Sequence, residues 1–149
     1  MCDDYRDACR EALLRSDPPR KVSKQAFNIF PKIREIDSLM DPERAGRIFE
    51  VHPEVAFWRL NGERPMALPK KIRNRPNPAG LDERRGLLQG LDYEPEFLTQ
   101  KPPKGAGADD LVDAAVCAVI AERIARGEAA PMPDPPGRDA RGLSVAIWS

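Results

Sequence analysis

Two groups of carboxylates carry the chemistry this sequence can offer. Glu50 and Glu54 lie in Ile48-Phe49-Glu50-Val51-His52-Pro53-Glu54, and Asp109, Asp110 and Asp113 follow Gly105-Ala106-Gly107. Each group falls where a strand or loop meets a helix, a place where carboxylates can converge on a hard divalent metal. Within a helix Asp110 and Asp113 share a face at i,i+3, as Asp109 and Asp113 do at i,i+4. Carboxylates held this close repel one another unless protons or cations neutralise them. Mg2+ or Mn2+ would do so, and in a two-metal arrangement would also activate water and stabilise the leaving oxygen of a phosphodiester.

A structural assignment competes with the chemical one. Asp109 can cap the helix that follows it, Asp110 and Asp113 can complement its dipole, and Glu54 can do the same for a helix starting at Pro53. Acidic first turns are common, so spacing alone favours the structural assignment. Glu50 weighs against it, because a carboxylate inside an apolar strand needs a partner.

The remaining polar residues are less specific. His52 is the single histidine, which suits a cap or a structural role better than catalysis. Lys70, Lys71, Arg73 and Arg75 form the one dense basic run; they could hold a phosphate backbone, although such loops are more often solvated. Gln25, Asn28 and Lys32 fall near one helical face, most simply a polar outer one. Trp58 and Trp148 sit among aliphatic residues, as core aromatics do. No order of serine, histidine and acid suggests a triad, and Gly105-Ala106-Gly107 is too short for a phosphate-binding loop.

The elements that must position these groups are bounded first by length. At 149 residues the chain reads as a single domain over its whole length. Its 24 basic and 24 acidic side chains cancel, which excludes a global attraction for nucleic acid or anionic membranes and leaves only local patches. Cys2, Cys9 and Cys117 have neither CxxC nor zinc-ligand spacing, as expected of reduced thiols in a cytoplasmic protein. No segment has the run of about 18 apolar residues that spans a bilayer, and the start lacks the pattern of a signal peptide.

Along the chain, Tyr5 to Arg15 has helical apolar spacing and stops at Ser16-Asp17-Pro18-Pro19. Ser23 is the expected N-cap of a second helical stretch, kinked or split by Pro31. Gly46 to Val51 reads as a buried strand, and Pro53 to Leu60 as a helix stopped by Asn61-Gly62. Asp82 is the expected cap of a helix ending at Gly90. Ala108 to Arg126, apolar nearly all round in its middle, is the strongest helix and should be buried on more than one side. A proline-rich connection then leads to a final strand, Leu143 to Trp148. Two strands make a marginal sheet, so others would have to come from a further segment or another chain.

At this point the sequence resembles the domain of unknown function 429 family of predicted bacterial nucleases with an RNase H-like fold. The resemblance runs through Ser23 to Ile29, Pro31 to Asp37, Phe49 to Trp58, Gly105 to Ala114, and Gly142-Leu143 through Ile147-Trp148. It implies a mixed sheet with helices on its faces and acidic residues at its centre. Glu50 would be the acid of the fourth strand, with Asp110 and Asp113 matching the Asp-x-x-Asp of related junction resolvases. As metal ligands these three would rank ahead of Glu54 and Asp109.

Members of the family begin with a strand bearing Gly and Asp and a hairpin, which this chain lacks ahead of Tyr5. The expected fold class is therefore α/β, RNase H-like and incomplete, helix-rich with about two strands. The expected function is metal-dependent phosphodiester hydrolysis with Mg2+ or Mn2+, acting on nucleic acid. The alternative is a noncatalytic remnant or interaction module whose open sheet edge pairs with an absent N-terminal half or a second copy.

Overall fold

In the computed structural model, described over residues 3–73 and 75–149, the chain divides into two compact units, Met1–Arg44 and Ala45–Ser149. Cys2 lies outside the described residues; Cys9 and Cys117 are both free thiols. No helix among the described residues is long and apolar enough to cross a membrane.

The first unit is built from α1 (Tyr5–Arg15) and α2 (Lys24–Leu39). Asp4 caps α1 by accepting from the backbone N–H groups of Arg6 and Asp7, and Ser23 caps α2 by accepting from Ala26 as its position predicted. Tyr5 ties the two helices together, donating to the Val22 carbonyl at 3.0 Å and meeting Phe27 edge to face. Pro31 neither splits α2 nor ends it: one helix runs from Lys24 to Leu39 with the proline inside. The helix buries none of its residues, and Ile29, Ile33, Ile36 and Leu39 are all exposed.

After the single turn α3 (Pro42–Ala45), the second unit assembles around one long helix. It contains α4 (Pro53–Leu60), β1 (Lys71–Ile72), β2 (Arg75–Pro76), α5 (Pro78–Gln89), α6 (Pro95–Thr99), α7 (Ala108–Ala125), β3 (Pro131–Arg138) and β4 (Ser144–Trp148). Helices α4, α5 and α6 all pack on α7. Phe57, Leu88, Leu98, Val112, Val116 and Ile120 are fully buried in the shared core, which explains why α7 is apolar on more than one side. Its end is marked by Gly127, whose φ of 72° suits a residue without Cβ.

The architecture is helix-rich, with two small antiparallel sheets among the described residues, β1 with β2 and β3 with β4. Three expectations need correction. The proline-rich connection after α7 is itself a strand: β3 pairs along β4 from Pro131 opposite Trp148 to Arg138 opposite Ser144, with an irregularity between Met132 and Gly137. Prolines are tolerated because β3 has a partner on one side only, so missing N–H groups can face the unpaired edge. Gly46 to Val51 is not a strand. Only Glu50 pairs, through one parallel bridge to Ile147 in which its carbonyl accepts from Trp148 N–H at 2.8 Å, while Ile48 stays half exposed. Helix α5 begins at Pro78, so Asp82 lies inside it rather than capping it.

Candidate functional site at the head of the long helix

The backbone that faces the start of α7 is the 67–71 segment, and α5 holds it in place. Glu83 accepts from the N–H groups of Ala67 at 2.7 Å and Leu68 at 2.9 Å. Arg84 donates to the Leu68 carbonyl at 2.9 Å, and Asn77 donates its side-chain amide to Pro69 and its backbone N–H to Lys70, both at 2.8 Å. Asn77 therefore stands at the N-cap position of α5 without a side-chain cap bond, its amide being used on the neighbouring segment. Gly80 completes the clamp: a Cβ there would lie 2.2 Å from the Pro69 carbonyl oxygen, so α5 approaches that backbone more closely than any side chain allows.

Held in this way, the segment delivers two ammonium groups to two aspartates of α7. Lys71 Nζ lies 2.6 Å from Asp109 Oδ2, and Lys70 forms an ion pair with Asp113 Oδ2. The Asp109 side chain is 8% exposed and that of Asp113 21%, so both carboxylates are largely removed from water. The Lys71 hydrogen bond holds the Asp109 carboxyl below its usual range, against burial, which pushes the other way. In return Lys71 is raised, first by that hydrogen bond and also by the field of Asp110 and Asp113. Three carboxylates thus act on one ammonium. Asp113 Oδ1 is buried without a hydrogen-bond partner among the described residues, and such an atom is an open acceptor. Cys117, one turn further along α7, is raised by burial and by Asp113.

The other acidic residues are placed differently. The N-cap of α7 is Gly107, not Asp109, and Asp110 turns back to accept from the Gly107 N–H at 2.7 Å. Glu54 faces α5: Arg84, 2% exposed, donates to both its oxygens at 3.1 and 2.6 Å, a bidentate pair that ties α4 to α5. Glu50 is exposed, so its carboxylate needs no buried partner. His52 precedes α4 without making a side-chain cap. Among the described residues no group of three or more His, Cys, Asp or Glu side chains is arranged to hold a metal, and Glu50, Asp110 and Asp113 are not brought together as one.

What the geometry offers instead is two carboxylates one helical turn apart, Asp109 buried and Asp113 partly buried. Mg2+ keeps several of its waters and commonly takes only one or two protein carboxylates. Both carboxylates are balanced by ammonium groups, and Asp113 Oδ1 is left as an open acceptor among the described residues.

Sequence reasoning missed Lys70 and Lys71 as partners of these aspartates, and Glu83, Arg84 and Asn77 as the clamp. The basic run was visible, and its pairing was not, because it joins residues some 40 positions apart.

The chain matches the family model described as "Protein of unknown function (DUF429)" over residues 1–138, and it belongs to that family. No curated protein and no solved structure matches it.

Proposed function

We propose that the chain is a divalent-metal-dependent nuclease of RNase H-like type, with its phosphodiester-cleaving site at the head of α7. The observation that carries this reading is the pairing of Asp109 and Asp113, largely buried on one helical face, with cations contributed by a distant segment. Two carboxylates on one side of a helix are donors that a metal-assisted hydrolase can use. Asp109 and Asp113 would hold the ion, Asp110 adds charge beside them, and Glu50 is the candidate from outside α7. When bound, Mg2+ or Mn2+ would supply an activated water and charge stabilisation at the phosphate.

The chain's own residues perform the rest. Lys71 holds the Asp109 carboxyl below its usual range and Lys70 pairs with Asp113, and the α5 clamp fixes where those ammonium groups sit. The basic run that they begin, continued by exposed Arg73 and Arg75, is the surface on which a phosphate backbone would lie.

The test is cleavage of end-labelled single-stranded DNA, duplex DNA, RNA and RNA–DNA hybrid with Mg2+ or Mn2+. Cleavage should stop in EDTA and fall at least about a hundredfold in Asp113→Asn and Asp109→Asn, the scale expected when a charge-stabilising group is lost. Cleavage that persists in EDTA, or at the wild-type rate in both variants, would sink the reading, as would failure to cut any of the four substrates.

A further inference from the structure

We propose that Asn61 is a deamidation site which the fold holds inert, so that its amide is lost when the turn after α4 opens and the loss then keeps that turn from closing. Neither metal nor nucleic acid enters this chemistry.

Asn61 is the one asparagine of the chain that is followed by glycine. A glycine leaves its backbone nitrogen unshielded, because no Cβ stands between that nitrogen and the asparagine Cγ. Gly62 is exposed, and nothing lies within 4 Å of where its Cβ would be. The reaction balances within the dipeptide and a water molecule. The Gly62 nitrogen attacks Asn61 Cγ, the Cγ–Nδ2 bond breaks, and ammonia leaves with the proton that the Gly62 nitrogen gives up. Water then opens the cyclic imide at either carbonyl, giving an aspartyl or an isoaspartyl residue with no change of oxidation state.

The turn opposes the first step in several ways. Ring closure needs the Gly62 nitrogen on the same side of the Cα–C bond as Cβ, and the Asn61 ψ of 22° turns it to the far side. That nitrogen also donates to the Arg59 carbonyl at 3.3 Å. The departing Nδ2 donates to the carbonyls of Arg64 and Pro65 at 3.0 and 3.4 Å, acceptors that hold it and offer no proton. The same bonds make the loss damaging once it has occurred. A carboxylate at position 61 only accepts, so it would face two carbonyl oxygens with nothing to donate. The turn has little to spare, since Glu63 after Gly62 already holds a positive φ of 59°. From here the chain runs directly into the segment whose Ala67 and Leu68 N–H groups are bound by Glu83.

The experiment holds the full chain in mildly alkaline buffer with and without urea, and follows Asn61 by peptide mass mapping and isoaspartyl methyltransferase labelling. Conversion should run at least about tenfold slower in the folded protein than in urea, as expected of a group that reacts only after local opening. Asn28 before Ile29 and Asn77 before Pro78 should stay intact over the same period. Conversion as fast in the fold as in urea would overturn the protection, and no conversion in urea would overturn the site itself. Asn61→Asp tests the consequence: the amides of Ala67 and Leu68 should exchange with solvent several-fold faster than in wild type, with those of α7 unchanged. Wild-type exchange at Ala67 and Leu68 in this variant would overturn the structural effect. If the variant does not fold, the wild-type rate ratio alone decides.

Discussion

The Asp109–Lys71 pair makes the site answer to pH at both ends of the scale. In the fold Asp109 is held below the ordinary carboxyl value of 3.8, first by its hydrogen bond from Lys71. A depressed carboxyl contributes stability that is fully present above the unfolded value and is lost as pH falls through the lower folded one. Lys71 is raised above 10.5, so its contribution is fully present below the unfolded value and is lost as pH rises through the higher folded one. Lys70, Asp110 and Asp113 also face the pair and set its field, so one substitution tests the coupling. In EDTA, Asp109→Asn should lower the urea midpoint most at about neutral pH. The gap from wild type should narrow as pH falls below the ordinary carboxyl value of 3.8 and the wild-type carboxylate protonates. An equal gap at acid and neutral pH would show that Asp109 acts through packing alone.

At the scale of elements, the site depends on how flatly α5 lies against the strand-entering segment. Gly80 is the contact point. An alanine there would place Cβ 2.2 Å from one backbone atom of Pro69 and 2.8 Å from another, with no flexible side chain to give way. Overpacking of this kind costs about 1–3 kcal/mol, against which alanine recovers about 1 kcal/mol of helix propensity. Gly86, in the same helix, has open space where its Cβ would be. Gly80→Ala should therefore lower the melting temperature and loosen Lys70 from Asp113, and Gly86→Ala should raise it by the propensity gain alone. Equal effects from the two substitutions would dismiss the clamp.

The same helix shows what the sequence made legible. Ends written in local chemistry were readable: Ser23 before α2, Pro53 at the start of α4, Gly90 after α5 and Gly127 after α7. Their signals lie within a turn of the event they cause. Asp82 misled because a helix can begin earlier on Asn77-Pro78 and leave an acid in its second turn. Strand β3 was hidden by its prolines, and what makes it a strand is its pairing with β4, which no local pattern states. The aspartates at the head of α7 were visible as candidates, whereas their lysine partners and the buried Arg84 were not, since a buried arginine reads in sequence like a solvated one.

Across the whole molecule the two units differ in how much apolar surface each removes from water. In the second unit nine residues form one buried cluster around α7, seven of them with almost no exposure. Among the described residues of the first unit, Ala8 and Cys9 are the buried hydrophobics, and α2 leaves four large aliphatic side chains exposed. Pro31 weakens that helix further, because it supplies no N–H for the preceding turn and costs about 3 kcal/mol in a helix interior. Local opening free energies follow buried contacts, so the two units should open independently. In native-state hydrogen exchange, amides of α7 should exchange only through global unfolding, and those of α2 at least about 2 kcal/mol more easily. Denaturant should lower the α7 value steeply and leave α2 nearly flat, because a small opening exposes little surface. Equal protection and equal denaturant slopes would mean that α2 is stabilised as part of the same cooperative core, with its apolar stripe covered in solution. The prediction requires the opposite: a chain whose candidate site is carried by one stable unit and whose helical pair opens at a lower free energy of its own.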